Sequence, residues 1–150
     1  MHKRTETKYI VVHCADTPPE MDVDAKEIKR WHVEERKFSD IGYHYIIKRC
    51  GTLEPGRNVE LQGAHALAVN ASSVGCCLVG RGDNFTKDQY LSLHNIIQTL
   101  MDMYPGVEVI GHSDVEPKKP YCPGFNVKQW MKKEFSGFNV KRWMKEKFCG

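Results

Sequence analysis

The sequence predicts an α/β fold in a single domain. Short apolar runs of strand length recur at residues 8–13, 43–50, 73–79 and 107–110, each bounded by polar, Gly or Pro residues. Amphipathic stretches of helical length, with start signals, alternate with them. A length of 150 residues, 41% hydrophobic and 27% charged, suits one globular domain with a real core.

The elements follow in order. Tyr9-Ile-Val-Val reads as a buried strand ending at His13, and Cys14–Pro19 as a loop stiffened by two prolines. Asp24, with Glu27 three residues on, marks a helix start. That helix is expected over 25–37, with Ile28, Trp31 and Phe38 near one face and His32 as a structural or surface residue. Tyr43–Cys50 and Thr52–Pro55 make a β-hairpin around Gly51. Residues 57–71 read as an irregular loop holding His65, and loops of that length are often functional. Ser73–Val79 is an apolar strand in which Cys76 and Cys77 are small core residues. Thr86 and Gln89 form a capping box that opens a helix over 87–103, with Leu93, Ile97, Leu100 and Tyr104 on one face. Val107–Ile110 is the last strand. A long loop and a helix from Asn126 complete the pattern.

The C-terminal end contains a duplication. Gly124–Phe135 recurs as Gly137–Phe148, identical at nine of twelve positions. Its offset of 13 residues would turn the two Trp-Met faces apart on one continuous helix, so two short helices capped by Asn126 and Asn139 are expected. Residues 118–150 hold nine Lys/Arg and two Asp/Glu, against thirteen and seventeen in residues 1–117. This basic tail suits an anionic wall or membrane surface. The alternative is a solvated helix face, and no nucleic-acid partner is expected.

His13 and His112 each lie just past an apolar strand, and Cys122 follows ten residues after His112. Two His and one Cys so placed make a three-ligand zinc set, which leaves the fourth tetrahedral position open as catalytic sites do. The competing reading makes His112 a loop histidine and Cys122 a buried thiol or half of a disulfide. Six cysteines could pair, but the polar N-terminus has no apolar signal-peptide core, so no export signal and reduced thiols are expected. Hydrolysis at such a metal needs a further donor for the oxyanion. Tyr43, Lys118 and Lys119 are the candidates. No His-Glu-x-x-His helix is present, which excludes a site with a helical Glu base.

Six segments occur in an order that resembles the type-2 N-acetylmuramoyl-L-alanine amidases, the family of phage amidase-type lysozymes and peptidoglycan recognition proteins. They are Ile10–Cys14, Asp40–Arg49, Gly63–Ala66, Ser73–Gly80, Gly111–Val115 and Cys122–Phe125. The resemblance implies a central mixed β-sheet flanked by helices, spanning residues 1–135, with the second repeat copy in 136–150 beyond it. It implies one Zn²⁺ per chain on His13, His112 and Cys122, with Tyr43 as the active-site tyrosine. It implies cleavage of the amide between N-acetylmuramic acid and L-alanine in peptidoglycan. An endolysin, held in the host cytoplasm until release to the wall, fits the lack of an export signal; so does a cytoplasmic enzyme that recycles wall fragments. His65 matches a groove histidine, a candidate substrate contact. The family's catalytic Lys or Thr two residues before the Cys is Pro120 here, which shifts that role to Lys118 or Lys119. The Asn70–Ser73 stretch also departs from the family pattern. A non-catalytic peptidoglycan-binding module is the alternative function.

Overall fold

The computed structural model describes residues 1–82 and 84–135. The second repeat copy, 137–148, and the helix expected there lie outside the described residues. Five strands, β1 (Tyr9–Cys14), β2 (Tyr45–Ile47), β3 (Leu53–Pro55), β4 (Ser73–Leu78) and β5 (Glu108–Gly111), form one mixed sheet in the order β3-β2-β4-β1-β5. All pairings are parallel except the β2–β3 hairpin. The helices are α1 (Ala25–Arg30), α2 (Lys87–Met103), α3 (His112–Val115) and α4 (Val127–Glu134).

β1 and β4 lie inside the sheet and are covered on both faces, so they read as continuous apolar runs rather than alternating ones. Ile10, Val12 and Cys14 join Val74, Cys76 and Leu78 under α2 and α4. Val11 packs on the opposite face with Ala66 and Ile110, while Ile28, Ile41, Ile46 and Cys77 form a neighbouring cluster on that side. Cys76 and Cys77 are fully buried. The result is a helix–sheet–helix sandwich with its second face partly covered by loops.

Three expected elements change in detail. The helix expected over 25–37 is α-helical only to Arg30 and then widens into a π turn over Trp31–Glu35, where the Arg36 amide reaches back to the Trp31 carbonyl. His32 therefore turns inward, where its Nδ1 accepts the Gly42 N–H at 2.8 Å. The strand expected over 43–50 pairs only at Tyr45–Ile47, because the turn already starts at Lys48. The loop over 57–71 ends in a 3-10 helix, Leu67–Ser72, that runs straight into β4. Likewise β5 leads not directly into loop but into α3, which His112 opens.

The capping box of α2 forms as expected and does more. Gln89 is fully buried; its amide donates to the Ile47 and Val79 carbonyls while its Oε1 accepts from Thr86 N–H and Arg49. One side chain thus ties α2 to β2 and to the end of β4. Gln89→Leu keeps the volume but strands these partners in the interior. We expect a loss of about 2–4 kcal/mol, read as a lower urea midpoint at unchanged slope.

Candidate active site

The register of the sheet builds the site. Val12 of β1 pairs with Gly111 of β5, so the next residue on each strand, His13 and His112, emerges at neighbouring C-terminal strand ends. Their ring centroids lie 4.4 Å apart. The carboxyl ends of parallel strands are where open α/β sheets bind ligands. Cys122 arrives from the loop after α3, and the Ser113 N–H holds its carbonyl at 2.9 Å. Its Sγ lies 3.8 Å from His13 Nδ1.

These three donors fit a metal ion. One donor atom from each of His13, His112 and Cys122 lies within 4.8 Å of the others. Around tetrahedral zinc, with Zn–S about 2.3 Å and Zn–N about 2.0 Å, a sulfur–nitrogen edge is about 3.6 Å, close to the observed 3.8 Å. His112 Nε2 is buried with no aligned hydrogen bond, although Glu116 Oε2 stands 3.2 Å away. No fourth His, Cys, Asp or Glu joins the trio among the described residues. All five described cysteines are free, so the disulfide reading of Cys122 is not what the structure shows. The Cys14 amide donates to Cys122 Sγ at 3.3 Å, support that a thiolate would use.

A family model described as N-acetylmuramoyl-L-alanine amidase matches residues 3–125. The chain belongs to the N-acetylmuramoyl-L-alanine amidase family. The endolysin of Enterobacteria phage K11 is 42% identical over 137 residues, covering 87% of this chain and 89% of that protein. The solved structure of N-acetylmuramoyl-L-alanine amidase LysC from Clostridium intestinale URNW superposes with a TM-score of 0.77 at 28% identity, over 90% of this chain and 93% of that one. Wild-type Drosophila PGRP-LB shares the fold, with a TM-score of 0.75 at 24% identity, over 88% of this chain and 83% of that one.

In this amidase His112 and Cys122 line a groove of about 660 Å³, and His13 is buried just behind them. Tyr43 lines it, with its ring 5.0 Å from the His13 ring. Burial pushes the Tyr43 phenol well above its ordinary range, so it stands as a neutral O–H donor. Lys118 and Lys119 both lie on the groove wall and are exposed. His65 reaches the groove too, but its ring nitrogens face His13 Nε2 at 2.8 Å and Ser73 Oγ at 3.3 Å. Both are thus engaged within the protein, which leaves a substrate little to contact.

Sequence reasoning missed Glu116, which takes the Leu67 N–H at 2.9 Å and sits beside His112, joining two walls of the groove. Its signal was the four-residue spacing from His112, meaningful only once that segment is known to be helical. Arg36 was missed as well; it lines the groove just beyond the π turn.

Burial holds His13 and His65 well below the ordinary imidazole value, with neighbouring histidines acting the same way, so both are neutral and His13 can be a ligand. Burial likewise lowers His32 and His44 to about 4, assisted at His32 by Arg36 and Arg57. The cause is visible in the bonding. His44 Nδ1 accepts the Gly75 N–H at 2.9 Å, as His32 Nδ1 accepts that of Gly42, and neither nitrogen can take a proton without losing its bond. Lowered histidine values stabilise the fold above the unfolded value of about 6.5, and that contribution is lost as pH falls toward 4. With a chelator present, stability should therefore be flat above pH 7 and decline between 6.5 and 5, before most carboxylates titrate. Urea midpoints across that range test this, and a midpoint rising toward pH 5 would contradict it.

Proposed function

We propose that His13, His112 and Cys122 hold one Zn²⁺ per chain, and that peptidoglycan lies in the groove above it. The amide between N-acetylmuramic acid and L-alanine is the bond cleaved, in an enzyme of the phage endolysin type. The observation that carries the reading is the convergence of three donors at a groove that Tyr43, His112 and Cys122 line together. When bound, zinc supplies a Lewis acid that polarises a carbonyl and lowers the pKa of water toward neutrality.

The remaining work falls to this chain's own groups. Tyr43, kept protonated by burial, donates a hydrogen bond to the oxygen on which negative charge develops. A lysine ammonium on the groove wall, Lys118 or Lys119, adds positive charge at the same place. Pro120 occupies the position two before Cys122, so neither lysine stands where the family pattern would put it. The Cys14 amide steadies the sulfur of Cys122. The groove's breadth suits a peptide stem attached to a sugar.

We place the protein in the host cytoplasm until lysis exposes the wall to it. Basic residues in 136–150 would then assist binding to the anionic wall or membrane surface.

Purified protein should contain one zinc per chain, and it should release L-alanine amino termini from purified wall in a chelator-sensitive way. Zinc without release would favour a binding module. Cys122→Ser should lose most bound zinc and lysis together; full retention of both would remove Cys122 from the ligand set. Tyr43→Phe should keep zinc while turnover falls about 10²–10³-fold, as measured by amino-terminus release at saturating substrate.

A further inference from the structure

We propose that His65 and Ser73 are positioning residues that set the proton on His13, so that its Nδ1 lone pair faces Cys122 and His112 before any metal arrives. The inference rests on the zinc reading above, but it is legible in the hydrogen bonds themselves. The Val69 carbonyl can only accept, so the Ser73 hydroxyl donates its one proton there, at 2.7 Å. Ser73 Oγ then has only acceptor capacity left for His65 Nε2 at 3.3 Å, which places the His65 proton on Nε2. A neutral imidazole has one N–H, so His65 Nδ1 is bare and accepts from His13 Nε2 at 2.8 Å. The His13 proton is thereby fixed on Nε2, and its Nδ1 is the bare nitrogen 3.8 Å from Cys122 Sγ.

The opposite assignment has two costs. It would put a proton in the space where a metal must sit, and it would set the lone pairs of His13 Nε2 and His65 Nδ1 against each other. Ser73 is fully buried and His65 is only 9% exposed, so water does not compete for these bonds.

The surroundings hold the His65 ring in this pose. A Cβ at Gly75 would stand 2.7 Å from His65 Cγ, and one at Gly63 would stand 2.5 Å from Cδ2. Both positions are glycine because the ring occupies the space a side chain would need. Asn70 Oδ1 accepts the N–H groups of His65 and Ala66, each at 2.9 Å, which fixes the backbone beneath the ring. The 3-10 helix before β4 thus carries the carbonyl that begins the relay, and β4 begins with its serine.

Hydrogen-bond partners of metal-ligating histidines typically contribute about 10–100-fold in metal affinity. His65→Phe should weaken zinc binding by about that factor in a competition titration against a chromophoric chelator. His65→Gln should restore most of it, since its amide can accept from His13 and donate to Ser73 in the same order. Ser73→Ala leaves both rings in place but removes the source of the proton order. In the metal-free chain, nitrogen-15 spectra should show His13 protonated on Nε2, and Ser73→Ala should shift it to a mixture of tautomers. His13 protonated on Nδ1 in the unaltered metal-free chain would overturn the proposal, as would zinc affinity unchanged in His65→Phe. Circular dichroism confirms that each variant folds. An unaltered chain that binds no zinc would overturn the metal reading instead, while the tautomer spectra still decide the relay.

Discussion

The site depends on the parallel register between β1 and β5. Pairing Val12 with Gly111 brings two histidines, about a hundred residues apart in the chain, to adjacent strand ends on one face. A slip of one residue would send one of them into the opposite cluster with Ile10 and Val12. Register here is specified strongly, because both faces of β1 are covered and every position must match its own side. The apolar core is what makes the polar site reproducible.

Much of this was legible in the chain. Strands β1 and β5 are short and β-branched, β4 is a short apolar run, and α2 carries both its capping box and a clear apolar face. His13 and His112 stood out as histidines at strand ends, whereas Cys122, on the loop after α3, was tied to them by the family resemblance. What the sequence withheld depends on tertiary geometry. The π turn after α1 has no local marker, and it decides that His32 is a backbone partner rather than a surface group. His44 sits within an apolar strand motif, where nothing predicts that its ring bonds Gly75 and the Leu61 carbonyl. His65 looked like a groove residue and is one by location, yet its bonds run inward.

Four of the buried histidines share an electrostatic logic. His13, His32, His44 and His65 are all buried and all driven to the neutral form. A neutral imidazole offers one donor and one acceptor, so it can bridge backbone groups or orient a neighbour where a lysine or arginine would need an anion. The amidase uses His44 to join the Gly75 and Leu61 backbone, His32 to hold the Gly42 N–H, and the other two in the file that ends at the donor cluster. Structural and chemical histidines lie side by side: the rings of His44 and His65 are 5.7 Å apart.

The hydrogen bond from Ser113 N–H to the Cys122 carbonyl has a consequence for how such a protein can diversify. It closes a ring in the chain immediately after His112 and immediately at Cys122, so both donors are anchored at the neck of the segment between them. Residues 114–121 form an outgrowth whose ends are already joined. Lengthening a loop whose ends are held together changes closure entropy only slowly. The outgrowth, which carries Glu116, Lys118, Lys119 and the exposed Tyr121 along the groove, is therefore free to change length and chemistry while the donor geometry stays put. Variation in which substrates are accepted has a natural place to accumulate there, insulated by one backbone bond from the metal donors.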